Sequence, residues 1–207
     1  MGEIQSEAEL LPSARALLAD IAPGHGMAEE VESPWGIPDL VAWTQFKPTG
    51  NPLGRKSLQI LSAVRREGPT PLSRLSERLG LTGITLERLL KVPIERGMVS
   101  MEDGVVSVYS VPRSSIGLTA VEMKLRDWKS GLKQAIRYKT FADRVYVFLG
   151  YVPSTLDLAA FAGEKIGIAE LQPSPRVLLD AGPVADENVE AARVLVREAI
   201  SRKLNPH

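Results

Sequence analysis

A stretch of about sixty residues in the middle of the chain carries a complete pattern of its own, and it interrupts what otherwise reads as one strand-and-helix domain. Residues 47–54, with two prolines and two glycines, have linker composition. Beyond them a helical period runs from 55 to 67, with Leu58, Ile60, Leu61 and Val64 on its apolar side. Pro69 and Pro71 introduce a second helix at about 72–79, marked by Leu72, Leu75 and Leu79. After the turn at residues 80–83, a third helix is predicted over about 84–96, with Leu86, Leu89, Leu90 and Ile94 apolar. Pro93 should bend or shorten that helix, because proline cannot donate to the preceding turn. Residues 98–109 then read as a hairpin turning at Glu102-Asp103-Gly104.

The flanking segments have a different rhythm. Residues 7–21 form a helical pattern through Leu10, Leu11, Leu17, Leu18 and Ile21, with Pro12 suited to the first turn. Strands are predicted at 27–33 and at Leu40–Trp43. After Pro112 come a strand at 118–125, an amphipathic helix from Trp128 to Phe141 with Asp127 as its N-cap, and a strand at 145–152. A helix near 155–163, a short strand at 176–179 and a helix over about 186–203 complete the reading. This order predicts an α/β sheet. The expected organisation is therefore residues 1–46 and 114–207 as one core, with 53–112 as an inserted module.

Composition narrows the chemistry. In 207 residues, 44% are hydrophobic and 24% charged, as expected of a globular chain. The absence of cysteine excludes disulfides, thiolate zinc sites and cysteine nucleophiles, and fits a reducing compartment. Residues 1–22 lack a basic-then-apolar leader pattern and no run is long enough to span a bilayer. A cytoplasmic location without a membrane partner is expected. Net charge is zero, but its distribution is uneven. Residues 1–46 hold eight acids against Arg15. Residues 124–139 hold Lys124, Arg126, Lys129, Lys133, Arg137 and Lys139 against Asp127 alone, and 55–113 carry a net charge of +4. Acidic segments beside basic ones can place carboxylates next to a phosphate-binding surface.

Glu122 and Lys124 are two apart and share one face of their strand, with Val121 and Met123 turned to the core. Asp39 opens the earlier strand, so pairing of the two strands would bring its carboxylate to Glu122. Hard oxygen ligands of this kind suit Mg²⁺, and a lysine beside them can stabilise developing negative charge or orient water. An E-x-K triplet occurs by chance about once in a chain of this length, so order and context must select it. Asp127-Trp128-Lys129 also fits D-x-K, but its aspartate sits at a helix start.

The residues Gly36-Ile37-Pro38-Asp39, then Glu122-Met123-Lys124, resemble the two core motifs of the PD-(D/E)xK nuclease superfamily. Gln134-Ala135-Ile136-Arg137-Tyr138, on the next helix, resembles the QxxxY motif of its RecB-type branch. The resemblance implies a restriction-endonuclease-like mixed sheet flanked by helices; separately, the three helices and hairpin of the inserted module resemble a winged helix-turn-helix. The nuclease resemblance implies a Mg²⁺- or Mn²⁺-dependent deoxyribonuclease in which Asp39 and Glu122 hold metal, joined by Glu7 or Glu9. Lys124 would assist catalysis, and Gln134 and Tyr138 would face Lys124 across the site, with Leu132, Ala135 and Ile136 toward the core. The family usually joins its two motif strands by a short turn, and about seventy residues intervene here.

DNA is the expected partner, with contacts from Arg88, Lys91 and Arg96 on the module's third helix and from Lys129, Lys133 and Arg137. That third helix also exposes Thr85, Glu87 and Glu95, and a protein-contact role for it stays open. A homodimer or a larger nuclease complex is compatible with the pattern. Two alternatives share these motifs: a DNA-binding regulator without activity, and a subunit active only in a complex. Glu30 is a possible extra ligand. His25 reads as a loop residue, His207 as a terminal one, and Trp35, Trp43 and Trp128 as packing groups. Ser114 and Ser115 lack a histidine partner, so serine-hydrolase chemistry is not expected, and the sequence has no G-x-x-x-x-G-K-S/T loop, so no nucleotide cofactor is expected.

Overall fold

The structure, a computed structural model, describes residues 5–44, 53, 55–108, 117–184 and 189–204, with backbone alone for 55, 58, 62, 65, 66, 189–191 and 194. The predicted linker, Ser114, Ser115 and His207 thus fall wholly or almost wholly outside the described residues. The chain divides into two compact units, Met1–Pro48 with Ser115–His207, and Thr49–Ser114.

In chain order, a 3-10 turn (Ala8–Leu10) leads into α1 (Leu11–Ile21), followed by β1 (Gly26–Glu29) and β2 (Leu40–Trp43). The second unit then contributes α2 (Arg55–Glu67), β3 (Thr70–Pro71), α3 (Leu72–Leu79), α4 (Gly83–Glu95), β4 (Val99–Glu102) and β5 (Val105–Val108). The first unit resumes with β6 (Leu118–Lys124), α5 (Trp128–Tyr138), β7 (Arg144–Leu149), α6 (Leu158–Glu164), β8 (Gly167–Glu170), β9 (Arg176–Leu179) and α7 (Val189–Leu204).

The first unit is mixed α/β, a six-stranded sheet in the order β1-β2-β6-β7-β8-β9 flanked by helices. β6, β7 and β8 are parallel, as expected for strands linked through helices, and β1, β2 and β9 run antiparallel to their neighbours. Each face has its own core. Ala135, Tyr138 and Phe141, Phe161 of α6, and Val196 and Ile200 of α7 pack on Val41, Ala120, Val147 and Ile168. Leu10, Ala14, Leu17 and Leu18 cover Leu40, Val121, Met123 and Phe148 on the opposite face. The three tryptophans pack rather than stack outward: Trp35 lies 6.0 Å from Phe141, Trp128 lies 6.0 Å from Phe161, and Trp43 is buried.

Several expected boundaries move. The first strand stops at Glu29 because Glu30 takes a positive φ of 45°. The helix beginning at Trp128 ends at Tyr138 rather than Phe141, with the Ala142 N–H closing on the Tyr138 carbonyl at 2.9 Å. Its Asp127 cap accepts from the Ser130 N–H at 3.1 Å. β8 is a strand that the sequence pattern does not reveal. Its four residues are all buried, so they show no polar–apolar alternation.

The second unit packs α2, α3 and α4 with a three-stranded antiparallel sheet in the order β3-β5-β4. Ile60, Val64, Leu75, Leu86, Leu90 and Val106 are fully buried. Pro93 does not end α4, which runs to Glu95. A proline at 93 leaves the Leu89 carbonyl without its helical donor, and the buried Ser57 hydroxyl donates to that oxygen at 2.9 Å. Ile94, expected on the apolar side, is 37% exposed.

A candidate carboxylate–lysine site at the β2–β6 ladder

The site follows from register. β2 pairs antiparallel with β6, Leu40 opposite Val121, so one step further Asp39 stands opposite Glu122. The Met123 N–H donates to Asp39 Oδ2 at 2.6 Å, fixing the aspartate on the strand that carries both partner residues. Alternation along β6 sends Val121 and Met123 to the α1 side and Glu122 and Lys124 to the α5 side.

Glu122 is only 2% exposed and accepts on both oxygens. The Tyr138 hydroxyl donates to Oε2 at 2.7 Å, and Lys124 Nζ lies 2.8 Å from Oε1. The same ammonium donates to the Met123 carbonyl at 2.9 Å and to Glu7 Oε2 at 3.4 Å. Two glycines let this cluster close. A Cβ on Gly131 would stand 2.8 Å from Val147 Cγ1 and 3.2 Å from Lys124 Cγ, so α5 approaches the sheet only because that position is bare. Gly36, at φ 138°, presents its Cα face to the Tyr138 ring, where a Cβ would meet Cε1 at 3.1 Å.

The electrostatics are those of carboxylates taken partly out of water. Burial, reinforced by repulsion from Glu122 and Glu7, pushes Asp39 up to about 6, although the Met123 N–H pulls the other way. Burial works against the Lys124 charge, but the Glu122 hydrogen bond and the charges of Glu122, Glu7 and Asp39 outweigh it and hold the ammonium above its usual range. Tyr138 is pushed well up by burial and by its bond to Glu122, so its hydroxyl keeps the proton it donates.

The remaining sequence candidates distribute as follows. Of the two N-terminal glutamates, Glu7 reaches the site through Lys124, whereas Glu9 accepts locally from the Ser6 hydroxyl at 2.7 Å and the Gln5 N–H at 3.4 Å. Glu30 neighbours the site through its backbone, its N–H donating to the Asp39 carbonyl at 3.0 Å, but its carboxylate pairs with Lys203 at 3.9 Å. His25 Nδ1 lies 3.1 Å from the Pro23 carbonyl oxygen, within its own loop. Tyr138 enters the site, but Gln134, half-buried, accepts from the Ser130 hydroxyl at 3.3 Å one turn away. Ile136 is 40% exposed, not core, because α5 meets the sheet through Gly131, Ala135 and Tyr138 and Ile136 falls on its flank. Lys129, Lys133 and Arg137 are exposed along α5. In the second unit Arg88 and Lys91 are exposed on α4, and Arg96, at its end, is half-buried. The backbone of Met123, which anchors Asp39 with its N–H and Lys124 with its carbonyl, is the participant that residue types could not announce; only the strand register shows it.

Among the described residues no three of His, Asp and Glu converge in metal-ligating geometry. No described helix is long and apolar enough to cross a membrane. Comparison with family models, with curated proteins and with solved structures finds no match to this chain. The functional reading therefore rests on the geometry of the site.

Proposed function

We propose that this protein is a divalent-cation-dependent deoxyribonuclease with a restriction-endonuclease-like core and an inserted winged helix. The observation that carries this reading is the Asp39–Met123–Glu122–Lys124 cluster. Two carboxylates from neighbouring strands meet beside a lysine whose charge is reinforced, on one end of a mixed sheet. The donor set fits a hard cation. Mg²⁺ takes one or two carboxylates and completes its shell with water and substrate phosphate. Asp39 Oδ1 has no hydrogen-bond partner among the described residues, and the elevated proton affinity of that carboxylate is what a cation would relieve. Glu122 Oε1 can accept from Lys124 and still offer a lone pair.

In this reading Asp39 and Glu122 hold the cation, Mg²⁺ or Mn²⁺. When bound, it polarises the phosphoryl oxygen and acidifies a water. Lys124 is held as an ammonium, which supports stabilisation of charge on the phosphoryl oxygens and argues against a role as general base. Tyr138 is a positioning residue that fixes the Glu122 carboxylate through Oε2. Glu7 gives Lys124 a second anion, holding the ammonium near the cluster. DNA follows the exposed Lys129–Lys133–Arg137 ridge, whose four-residue spacing aligns three cations on the outer face of α5. Gln134 lies on that ridge's inner edge and orients the substrate backbone.

The inserted unit serves nucleic-acid or partner binding. Its Arg88 and Lys91 are interleaved with Glu87 and Glu95, which oppose a phosphate field, so the face suits a protein partner better than duplex DNA. Titration calorimetry with Mn²⁺ tests the site directly. One binding event per chain is expected in the wild type and none in Asp39→Asn. Equal binding by both proteins would remove Asp39 from the cation site.

A further inference from the structure

The exposed face of α4 contains a four-residue stripe at 3-4-3 spacing: Ile84, Glu87, Lys91 and Ile94. At about 100° per residue these positions fall within about 80° of arc on one side of the helix. All four are exposed, and the apolar pair is conspicuous: Ile84 is 82% exposed and Ile94 37%. The unit's buried core uses the adjacent side, through Leu86, Leu90 and Pro93, about 110° around the helix, with Ile94 at the border between the two.

The order Ile, Glu, Lys, Ile has a property that an arbitrary mixed face lacks. Read against itself in the antiparallel sense, it is complementary at every position. About a two-fold axis through the level of residue 89, Ile84 stands opposite Ile94 of a second copy. Glu87 then stands opposite Lys91, Lys91 opposite Glu87, and Ile94 opposite Ile84. A parallel alignment would instead set Glu87 on Glu87 and Lys91 on Lys91. An isologous interface requires this self-complementarity, since one patch must recognise its own image. The 3-4-3 spacing is also that of helices packing at a shallow angle, with i±3 and i±4 ridges interleaved. Duplex DNA fits less well, because Glu87 lies in the centre of the stripe and the isoleucines gain nothing from phosphates.

We infer that two copies of this chain pair through α4 in an antiparallel, two-fold arrangement seated on Ile84, Glu87, Lys91 and Ile94. The pairing does not depend on the chemistry of Asp39 and Glu122. A helix of 13 residues is only about 20 Å long, so the contact is small beside that of a permanent dimer. A reversible dimer, half-dissociated at roughly micromolar concentration, is expected.

Charge exchange on the full chain tests this, read by sedimentation equilibrium or light scattering across a concentration series. The wild type should pass from monomer to dimer. Glu87→Lys and Lys91→Glu should each remain monomeric at concentrations at least ten times higher, because each places like charges opposite one another. An equimolar mixture of these two variants should dimerise again, as should the double variant carrying both exchanges. Ile84→Asp should abolish pairing at unchanged far-UV circular dichroism. A wild type that stays monomeric throughout overturns the inference, as does a dimer that both single charge variants retain. If Lys91→Glu leaves the association state unchanged but weakens duplex binding and flattens its salt dependence, the face belongs to nucleic acid and the inference also fails.

Discussion

Glu122→Gln is expected to reduce metal-dependent cleavage by at least about 10³-fold while the protein stays folded, whereas Glu122→Ala should lose the fold's stability as well as the activity. Both outcomes follow from the burial of this carboxylate. Glu122 is 2% exposed and is the acceptor for the Tyr138 hydroxyl and for Lys124. An exposed active-site acid can be truncated at little cost, but a buried one cannot. Alanine leaves a fully buried tyrosine hydroxyl without an acceptor and removes the nearest anion from a lysine that is 15% exposed. Breaking one side of a buried, paired cluster costs about 3–5 kcal/mol. Glutamine retains an acceptor for one donor and removes the charge, so its cost is about 1–3 kcal/mol. Activity still falls, because the neutral amide is a poor ligand for a hard cation. Urea denaturation of the two variants beside a cleavage assay separates the effects. Glu122→Ala as stable as Glu122→Gln would show that the Tyr138–Glu122–Lys124 network contributes little.

Asp39→Asn should have the opposite effect on stability. Asp39 titrates near 6 in the folded chain against an ordinary value of 3.8. The folded state therefore binds the proton more tightly than the unfolded state. Below about pH 4 both states carry it, and Asp39 contributes no penalty. Between about 4 and 6 the unfolded chain ionises first, so stability falls as pH rises, and above about 6 the penalty is complete. Discounted for the partial exposure of the group, it amounts to about 1–2 kcal/mol. Asparagine keeps an oxygen for the Met123 N–H and cannot ionise. Asp39→Asn should thus be more stable than the wild type at pH 7–8, with a difference that closes on approach to pH 4, while losing cleavage. Thermal unfolding at pH 4, 5, 6 and 7.5 checks this. An asparagine variant less stable than the wild type at pH 7.5 would contradict the repulsive, desolvated character assigned to the site. Mn²⁺ should raise the wild-type Tm and leave that of the variant unchanged, since only a folded state that binds the cation is stabilised by it.

Much of this architecture is legible in residue patterns because the relevant signals are local. Leu40–Trp43, the helix starts at Arg55 and Leu72, the Asp127 cap and the turn at Asp103-Gly104 each depend on a few neighbouring residues. The same locality places Glu122 and Lys124 on one strand face. Features that fail to show are set by distant partners. β8 is buried on both faces and carries no alternation. α5 stops at Tyr138 although the apolar residues Phe141 and Ala142 continue the pattern, because the chain there turns back toward β7. Ile136 has a core residue's chemistry on a helix whose contact side is fixed by Gly131 and Ala135. The choice of Glu7 over Glu9 depends on the reach of Lys124, and the burial of Glu122 depends on how closely α5 can settle. Neither is written in spacing.

Incubation of the purified protein with supercoiled plasmid and with single-stranded circles, in EDTA, Mg²⁺ or Mn²⁺, is the most direct test of the site's chemistry, provided that Glu122→Gln and Asp39→Asn are run beside the wild type. Nicking or linearisation of at least one substrate by the wild type, dependent on the cation and absent from both variants, is the predicted result. Wild-type protein that leaves both substrates intact under every cation, or cleavage that persists in the two variants, would contradict the assignment of Asp39, Glu122 and Lys124 as a nuclease site.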